Sequence, residues 1–174
     1  MTNKVLSSQI SLPLFSRKLL PLPNDRSKIF TDIYDRKIED LRISITDRCN
    51  LRCIYCLEPN TKFMNKKKLL SIEEYEHIAK LLIKSSQLKK IRITGGEPTT
   101  RVGLDSLIRS LGRTKIRDLA ITTNGILLTE KRLKDWFKFG LDRITFSLDS
   151  LKKNQATQIS RRAYDIDRII NIIS

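Results

Sequence analysis

Several residue types and patterns are scarce in this sequence, and each scarcity excludes a class of protein. No apolar run approaches the roughly 18–20 residues that a membrane span needs, so we expect no membrane segment. Only 3 of the 174 residues are cysteine, and this odd, low number argues against a disulfide framework and for a reducing compartment. With 6 glycines and 5 prolines, the chain is neither collagen-like nor of low complexity.

Acidic residues are also few, which leaves a strong excess of positive charge. The 34 lysines and arginines outnumber the 19 acidic residues and give a formal net charge of +15. A solvated lysine-rich surface, a nucleic-acid partner or a polyanionic small substrate would each account for this excess. Aromatic residues, which stack on single-stranded nucleic acid, make up only 6% of the chain, and the one dense basic run is Lys66–Lys68. Nucleic acid is therefore not the expected partner.

Residues 1–30 are interpreted as a flexible N-terminal extension, and residues 31–174 as the folded domain. Three prolines, Pro13, Pro21 and Pro23, interrupt any periodic pattern in the extension. Its serines and its excess of basic residues would also suit an organelle targeting segment. We expect a cytoplasmic protein, or one in the stroma or matrix of an organelle if the extension is such a segment.

From residue 41 the sequence alternates between strand and helix patterns. The predicted strands are 41–46, 91–94, 119–122 and 143–149. Four helices are predicted. The first begins at a capping box of Ser71 and Glu74 and runs to about Ser86, and the second carries Leu104, Leu107, Ile108 and Leu111. The third runs from Thr129 to a C′ glycine at Gly140 and buries Leu133, Trp136 and Phe137, and the fourth has Ile166, Ile169, Ile170 and Ile173 on one face. About four βα units joined by short loops predict an α/β fold with parallel strands and right-handed crossovers.

The predicted strands alternate apolar and polar residues, whereas fully buried parallel strands are usually apolar throughout. In the first strand Ile43 and Ile45 face one way, and the intervening polar residues, Arg42 among them, face the other. Because the helices need the apolar face, we expect the polar face to line a concave interior that can hold a polar ligand. A sheet with one face in solvent is the alternative. In barrels of this kind the ligand site lies at the C-terminal strand ends, where this chain carries Thr46-Asp47, Gly95-Gly96-Glu97, Thr122-Thr123-Asn124-Gly125 and Ser147-Leu148-Asp149.

All three cysteines, Cys49, Cys53 and Cys56, follow the first predicted strand closely. A structural zinc site needs four ligands, but there is no fourth cysteine and the only histidine, His77, lies in a predicted helix. A redox pair of Cys53 and Cys56 would leave Cys49 without a role. Three closely spaced thiolates fit an iron–sulfur cluster, for which cysteine is the usual ligand. On a four-iron cube, one iron would then stay free to bind a substrate.

This C-x3-C-x2-C motif, with an aromatic residue before its last cysteine, resembles that of the radical S-adenosylmethionine (SAM) superfamily. The segment Gly95-Gly96-Glu97-Pro98 resembles the second motif of that superfamily. Residues 41–53, 93–98, 122–125 and 147–150 are similar in order and spacing to the molybdenum cofactor biosynthesis A family, the GTP 3′,8-cyclases. The resemblance covers roughly residues 30–174 and implies a partial parallel (β/α) barrel of the radical SAM type.

The resemblance also implies roles for individual residues. By this resemblance, Cys49, Cys53 and Cys56 would ligate a [4Fe–4S] cluster, Tyr55, Gly96, Glu97 and Ser147 would bind or place SAM, and Arg42, Arg92 and Thr122 would face GTP. Glu97 is expected to meet the ammonium group of SAM, and Gly96 to let the backbone approach the cofactor. Two arginines suit a triphosphate because guanidinium groups hydrogen-bond phosphate oxygens in pairs. No general acid or base is identified.

The reaction and the partners follow from the same resemblance. One electron from the reduced cluster would cleave SAM to a 5′-deoxyadenosyl radical, which abstracts the ribose 3′ hydrogen of GTP so that this carbon attacks C8 of guanine. The cofactors carry the difficult chemistry, while the protein orients the substrates. We therefore expect GTP and an electron donor as partners, no membrane, and a homodimer as one form of assembly.

Residues 41–174 hold about four βα units, whereas a full barrel takes about 250 residues. We therefore expect the C-terminal part to be missing: the remaining strands, a further GTP-contacting lysine, and the three cysteines that hold the family's second cluster at the guanine base. Two alternatives to a truncated cyclase stay open. One is a small radical SAM activase with another substrate, and the other is a non-catalytic remnant or basic nucleic-acid-binding module.

Overall fold

The computed structural model describes residues 30–58 and 60–173. These residues form a parallel sheet of β1 (Asp40–Ser44), β2 (Lys90–Thr94), β3 (Asp118–Thr123) and β4 (Arg143–Phe146). The strands lie side by side in chain order, and every neighbouring pair is parallel. This confirms the α/β class and the sheet expected of a partial (β/α) barrel. The predicted extension, apart from Phe30, lies outside the described residues.

Helices connect the strands on one side of the sheet and follow the last strand. They are α1 (Ile72–Ser85), α2 (Leu104–Gly112), α3 (Glu130–Lys138), α4 (Lys153–Ser160) and α5 (Ile166–Ile173), with short 3-10 turns at Lys66–Lys68 and Pro98–Thr100. The sequence pattern predicts all of these helices except α4, which is mostly polar and buries only Ala156 and Ser160. None of the helices in the described ranges is long and apolar enough to cross a membrane.

The hydrophobic core lies between the sheet and α1, α2 and α3. The fully buried side chains of this layer include Ile45, Ile91, Ile93, Leu104, Leu107, Ile108, Leu111, Leu119, Ile121 and Trp136. The strand residues among them alternate with polar ones, as the sequence predicts, so one face of the sheet is apolar and packed. The opposite face carries the polar residues that form part of the functional site.

Two residues predicted to be buried are about half exposed in the structure. Phe137 is 48% and Ile173 50% exposed, and both line an open groove beside β4 together with Phe146. In α3 the core position is taken instead by Trp136, whose indole N–H donates to the Asp105 carboxylate. The prediction for these two side chains is wrong because β4 is the edge of the described sheet, and no further βα unit of the described chain covers it.

The end of α2 packs directly against the turn that follows α3. A Cβ on Gly112 would lie 1.8 Å from the carbonyl oxygen of Phe139, so only glycine allows this approach. Gly140, predicted as the C′ residue of α3, has a φ of +98°, the left-handed conformation that ends a helix. These two glycines fix how closely the helices approach each other.

The N-terminus of α1 is closed by the predicted capping box. The Ser71 hydroxyl accepts a hydrogen bond from the Glu74 N–H (3.1 Å), and the Glu74 carboxylate accepts one from the Ser71 N–H (2.7 Å). Replacing Ser71 with alanine is expected to lower the free energy of unfolding by about 1 kcal/mol, because one helix donor loses its partner.

Urea denaturation followed by circular dichroism measures this cost. Ser106→Ala is the matched control, because the Ser106 hydroxyl donates only to the carbonyl of Gly103, the residue just before α2. We expect the control to change stability by less than about 0.5 kcal/mol. Equal losses in the two variants would show that the box does not stabilise α1.

Candidate functional site

The loops that follow the strands meet at one edge of the sheet, which we call the C-terminal edge. The Gly96 N–H donates to the Thr46 carbonyl (2.7 Å), and the Ser147 N–H donates to the Thr123 carbonyl (2.8 Å). The Asn124 side-chain amide donates to the Asn50 side-chain oxygen (2.8 Å), which joins the third loop to the first. The four predicted strand-end segments are thus brought together.

The loop that contains the three cysteines follows β1 at this edge, and we call residues 47–57 the cysteine loop. Cys49 and Cys53 are half-buried and Cys56 is exposed, and all three are free thiols. A turn at Cys53 brings the N–H of Cys56 to the Cys53 carbonyl (2.9 Å). The loop thereby presents three thiols from a short stretch of irregular backbone.

The far end of the chain holds the cysteine loop in place. The Arg52 N–H donates to the Ser160 carbonyl (3.0 Å), and the Ile54 N–H donates to the Ile159 carbonyl (2.9 Å). The Arg52 guanidinium also donates to the Cys49 carbonyl at 2.7 Å. Carbonyl groups of the last turn of α4 therefore fix the backbone of the cysteine loop, and the sequence pattern does not predict this contact.

The chemistry of the three thiols fits a cluster better than a single ion. Among the described residues, no three His, Cys, Asp or Glu side chains converge in the manner that one metal ion requires. Burial raises the pKa of the Cys49 thiol, the hydrogen bond from the Leu51 N–H lowers it, and the negative charge of Glu97 raises it further. A cluster with several irons takes one thiolate at each of three irons, which matches the number of cysteines in this loop.

Glu97 lies inside the C-terminal edge and is only 2% exposed. Its Oε1 accepts hydrogen bonds from the Thr99 N–H (3.0 Å), the Thr99 hydroxyl (2.5 Å) and the Thr123 hydroxyl (2.7 Å). Its Oε2 accepts a hydrogen bond from the Asn124 N–H (2.7 Å). Oε2 has one donor and keeps a further acceptor position. The geometry shows that Glu97 joins its neighbouring loops, and its contact with SAM stays a prediction.

Gly96 packs against the backbone that leads into the cysteine loop. A Cβ at this position would lie 2.5 Å from the Arg48 carbonyl oxygen and 2.7 Å from that of Asp47. The neighbouring Glu97 N–H donates to the same Arg48 carbonyl (2.8 Å). The missing side chain of Gly96 therefore lets two loops of the protein touch, and its expected contact with SAM stays a prediction.

Tyr55 and Asp149 connect the cysteine loop to the loop after β4. The Tyr55 hydroxyl lies 2.9 and 3.0 Å from the two Asp149 carboxylate oxygens. Partial desolvation of the hydroxyl, followed by this contact with Asp149, raises the pKa of the Tyr55 phenol well above its usual value. Asp149 also raises the pKa of the Cys53 thiol, after the larger effect of burial. No role for Asp149 follows from the sequence motifs, although its place directly after a strand end is a signal of one.

The polar face of the sheet carries the residues expected to bind GTP. Arg42 and Arg92 are opposite each other in the β1–β2 register, and Arg92 is opposite Ala120 in β3. Thr122 lies two residues beyond Ala120 on the same face, closer to the C-terminal edge. The sheet pairs Thr122 with Thr145 of β4, and Ser147 follows in the same alternation. The three predicted GTP residues therefore share one face of the sheet with Ser147.

A cavity of about 320 Å³ lies over the N-terminal half of this face, and its lining includes Arg42, Lys90, Arg92 and Arg143 together with Asp40. Arg143 is held by two hydrogen bonds to Asp118 (3.0 and 2.6 Å), and Lys90 lies 3.7 Å from Asp40. In the described part of the chain, neither Arg42 nor Arg92 forms an ion pair with a carboxylate. Two guanidinium groups are thus available to an anion on the open face.

Comparison with known proteins decides the family. Residues 43–174 match the sequence model of the Radical SAM superfamily. The chain belongs to the radical SAM superfamily. Membership implies a [4Fe–4S] cluster and SAM as cofactors, and the three free thiols at the C-terminal edge fit the cluster.

Radical SAM relatives with curated names are similar to this chain over most of its length. A "GTP 3′,8-cyclase" of Rhodopirellula baltica is 44% identical over 142 residues, which cover 80% of this chain and 39% of the relative. "Molybdenum cofactor biosynthesis protein 1" of Dictyostelium discoideum is 40% identical over 167 residues, which cover 92% of this chain and 26% of the relative. The chain therefore spans well under half the length of these relatives.

A solved structure supports the radical SAM fold. Streptococcus suis SuiB bound to S-adenosylmethionine superposes with a TM-score of 0.64 at 24% identity, over 77% of this chain and 30% of SuiB. At this identity the likeness concerns the fold alone. It agrees with the partial barrel expected from the strand and helix patterns.

Proposed function

We propose that this chain is the SAM-cleaving and GTP-binding portion of a GTP 3′,8-cyclase that acts in molybdenum cofactor biosynthesis. The observation that carries the GTP assignment is the pair of guanidinium groups without carboxylate partners, Arg42 and Arg92, on the polar face of the sheet. The two named relatives, at 44% and 40% identity, support the same activity. The homodimer and the compartment stay predictions.

The proposed division of labour follows the geometry of the site. Cys49, Cys53 and Cys56 hold the cluster, which when bound supplies the electron for reductive cleavage of SAM. Tyr55 of the cysteine loop and Ser147 of the loop after β4 orient SAM at the C-terminal edge. Gly96 and Glu97 hold the loops in register. Arg42, Arg92 and Thr122 orient GTP on the polar face.

Anaerobic reconstitution with iron and sulfide tests the cofactor half of this proposal. We expect roughly four irons per chain, as in a [4Fe–4S] cluster, and 5′-deoxyadenosine when SAM and dithionite are added. Absence of iron from a folded, monodisperse chain would contradict it and would favour the non-catalytic alternative.

The substrate half is tested by GTP titration of Arg42→Ala and Arg92→Ala. Each substitution removes charge-assisted hydrogen bonds to phosphate, and we expect GTP binding to weaken by about tenfold or more. Arg113→Ala is the matched control, because this exposed arginine lies beyond the end of α2 and away from the polar face. SAM cleavage without measurable GTP binding in the wild type would favour the activase alternative.

A further inference from the structure

The site described above makes no use of the basic run that stands out in the sequence. Residues 60–70 contain four lysines, Lys62, Lys66, Lys67 and Lys68, and no acidic residue. We call this stretch the lysine segment. All four lysines are exposed, and none is paired with a carboxylate among the described residues. Some lysines elsewhere are ion-paired, such as Lys80 with Glu76 and Lys89 with Glu39, and others are not; what distinguishes this segment is that its unpaired lysines lie close together in the chain with no acidic residue among them.

Side chains of the cysteine loop hold the lysine segment beside it. The Asp47 carboxylate accepts a hydrogen bond from the Met64 N–H, and the Arg48 guanidinium reaches the Met64 carbonyl at 3.5 Å. The guanidinium groups of Arg48 and Arg52 lie 5.8 and 5.0 Å from the centre of the Phe63 ring. Cation–π contacts of this kind add to the attachment.

These contacts attach the lysine segment to residues that adjoin two of the three cysteines. Asp47 and Arg48 directly precede Cys49, and Arg52 directly precedes Cys53. The lysine segment is therefore attached to the cysteine loop both before Cys49 and before Cys53. Its positive charge has a defined place next to the proposed cluster.

The tip of the cysteine loop is open to solvent at the same place. Ile54 is 56% and Tyr55 68% exposed, and Cys56 is exposed as well. The exposed apolar side chain of Ile54 and the lysine segment thus belong to two stretches of chain that are attached to each other. Transient protein complexes use small interfaces of this composition, in which charge steers the encounter and the apolar centre makes the contact.

We propose that the lysine segment and the exposed tip of the cysteine loop form the docking surface for an acidic one-electron carrier protein. The proposal rests on the cluster of the proposed function. In the transfer, the carrier is oxidised by one electron and the [4Fe–4S] cluster is reduced by one electron, from the 2+ to the 1+ state, with no atom exchanged. The uncompensated lysines attract a negative carrier and orient it so that its redox centre approaches the loop.

Two variants that remove the same charge from opposite ends of the fold test this surface. The first is Lys66→Gln/Lys67→Gln/Lys68→Gln. The control is Lys84→Gln/Lys115→Gln/Lys138→Gln, which changes three exposed lysines without carboxylate partners among the described residues. Lys84 and Lys138 lie in the last turns of α1 and α3, and Lys115 lies between α2 and β3, all at the edge opposite the cysteine loop.

The probes are an acidic flavodoxin and an acidic ferredoxin, each titrated into the reconstituted protein at several salt concentrations. We expect at least one carrier to bind, the lysine-segment variant to bind it about tenfold more weakly with a shallower salt dependence, and the control to stay within about twofold of the wild type. The reduced carrier should also reduce the cluster of the lysine-segment variant more slowly. Dithionite, a small reductant that needs no docking, should reduce all three proteins alike.

Several outcomes would overturn this inference. Equal losses in the two variants would mean that only the overall charge attracts the carrier, and unchanged binding in the lysine-segment variant would mean that these lysines are not used. Binding of single-stranded RNA that is tighter than that of either carrier, and lost in the same variant, would assign the segment to nucleic acid. Failure to take up iron would contradict the proposed function instead. Carrier binding to the iron-free protein would then still test the docking surface.

Discussion

Replacing Glu97 with alanine is expected to lower the free energy of unfolding by at least about 3 kcal/mol. Its carboxylate accepts four hydrogen bonds from Thr99, Thr123 and Asn124 and is 2% exposed, so truncation leaves several buried donors without a partner. Each such donor costs about 1–3 kcal/mol. Proteins of this size are stable by only about 5–15 kcal/mol, so the loss would be severe. Chemical denaturation of the two proteins measures it.

Two milder variants separate the role of Glu97 from that of a generic buried residue. Glutamine keeps one oxygen for the Thr99 and Thr123 donors but turns an N–H₂ group toward the Asn124 N–H, so Glu97→Gln should lose part of the stability. Thr123→Val replaces the hydroxyl that donates to Glu97 with a methyl group and should lower the free energy of unfolding by about 1 kcal/mol. If Glu97→Ala were no more destabilising than Thr123→Val, the carboxylate would not be joining the loops.

The triple substitution Cys49→Ser/Cys53→Ser/Cys56→Ser is expected to abolish iron uptake and SAM cleavage. The three residues are free thiols without a disulfide, so their change to serine removes the proposed ligands and leaves the fold intact. Iron content should fall from roughly four per chain to background, and 5′-deoxyadenosine formation should be lost. Circular dichroism and thermal unfolding of the apoprotein should match those of the wild-type apoprotein.

Tyr55→Phe is the control for this experiment, because it changes the same loop without removing a thiol. It loses the hydroxyl contact with Asp149 and should retain the full complement of iron. Iron retention by the triple serine variant would contradict the assignment of the cysteines. Iron loss by Tyr55→Phe would show that uptake depends on the Asp149 contact as well.

The parts of the fold that depend on local patterns follow from the sequence. Alternation of Ile43 and Ile45 with polar neighbours predicts both β1 and its buried face, and Ser71 with Glu74 predicts the start of α1. Both signals are short in range, because a strand has period two and a capping box spans one turn. The clustering of polar strand ends at one edge also follows, since parallel strands bring their C-terminal ends together.

What the sequence does not predict depends on residues far apart in the chain. Tyr55 meets Asp149 across 94 residues, and Glu97 meets Asn124 across 27, and no local period reports either pair. Glu97 illustrates the consequence: its motif predicts a contact with SAM, which stays a prediction, but not its hydrogen bonds to Thr123 and Asn124. The exposure of Phe137 is a similar case, since helical spacing predicts a buried stripe regardless of what lies beyond β4.

The hydrogen bonds from Arg52 and Ile54 to the last turn of α4 bear on how the protein matures during synthesis. The cysteine loop leaves the ribosome early, but the Ser160 and Ile159 carbonyls that hold it emerge only after some hundred further residues have been added. The sheet can meanwhile assemble in the order of translation, because each strand pairs with the one made just before it. We therefore expect the metal-binding loop to reach its final shape only after α4 has emerged and formed, later than the pairing of β1 with β2 and β3.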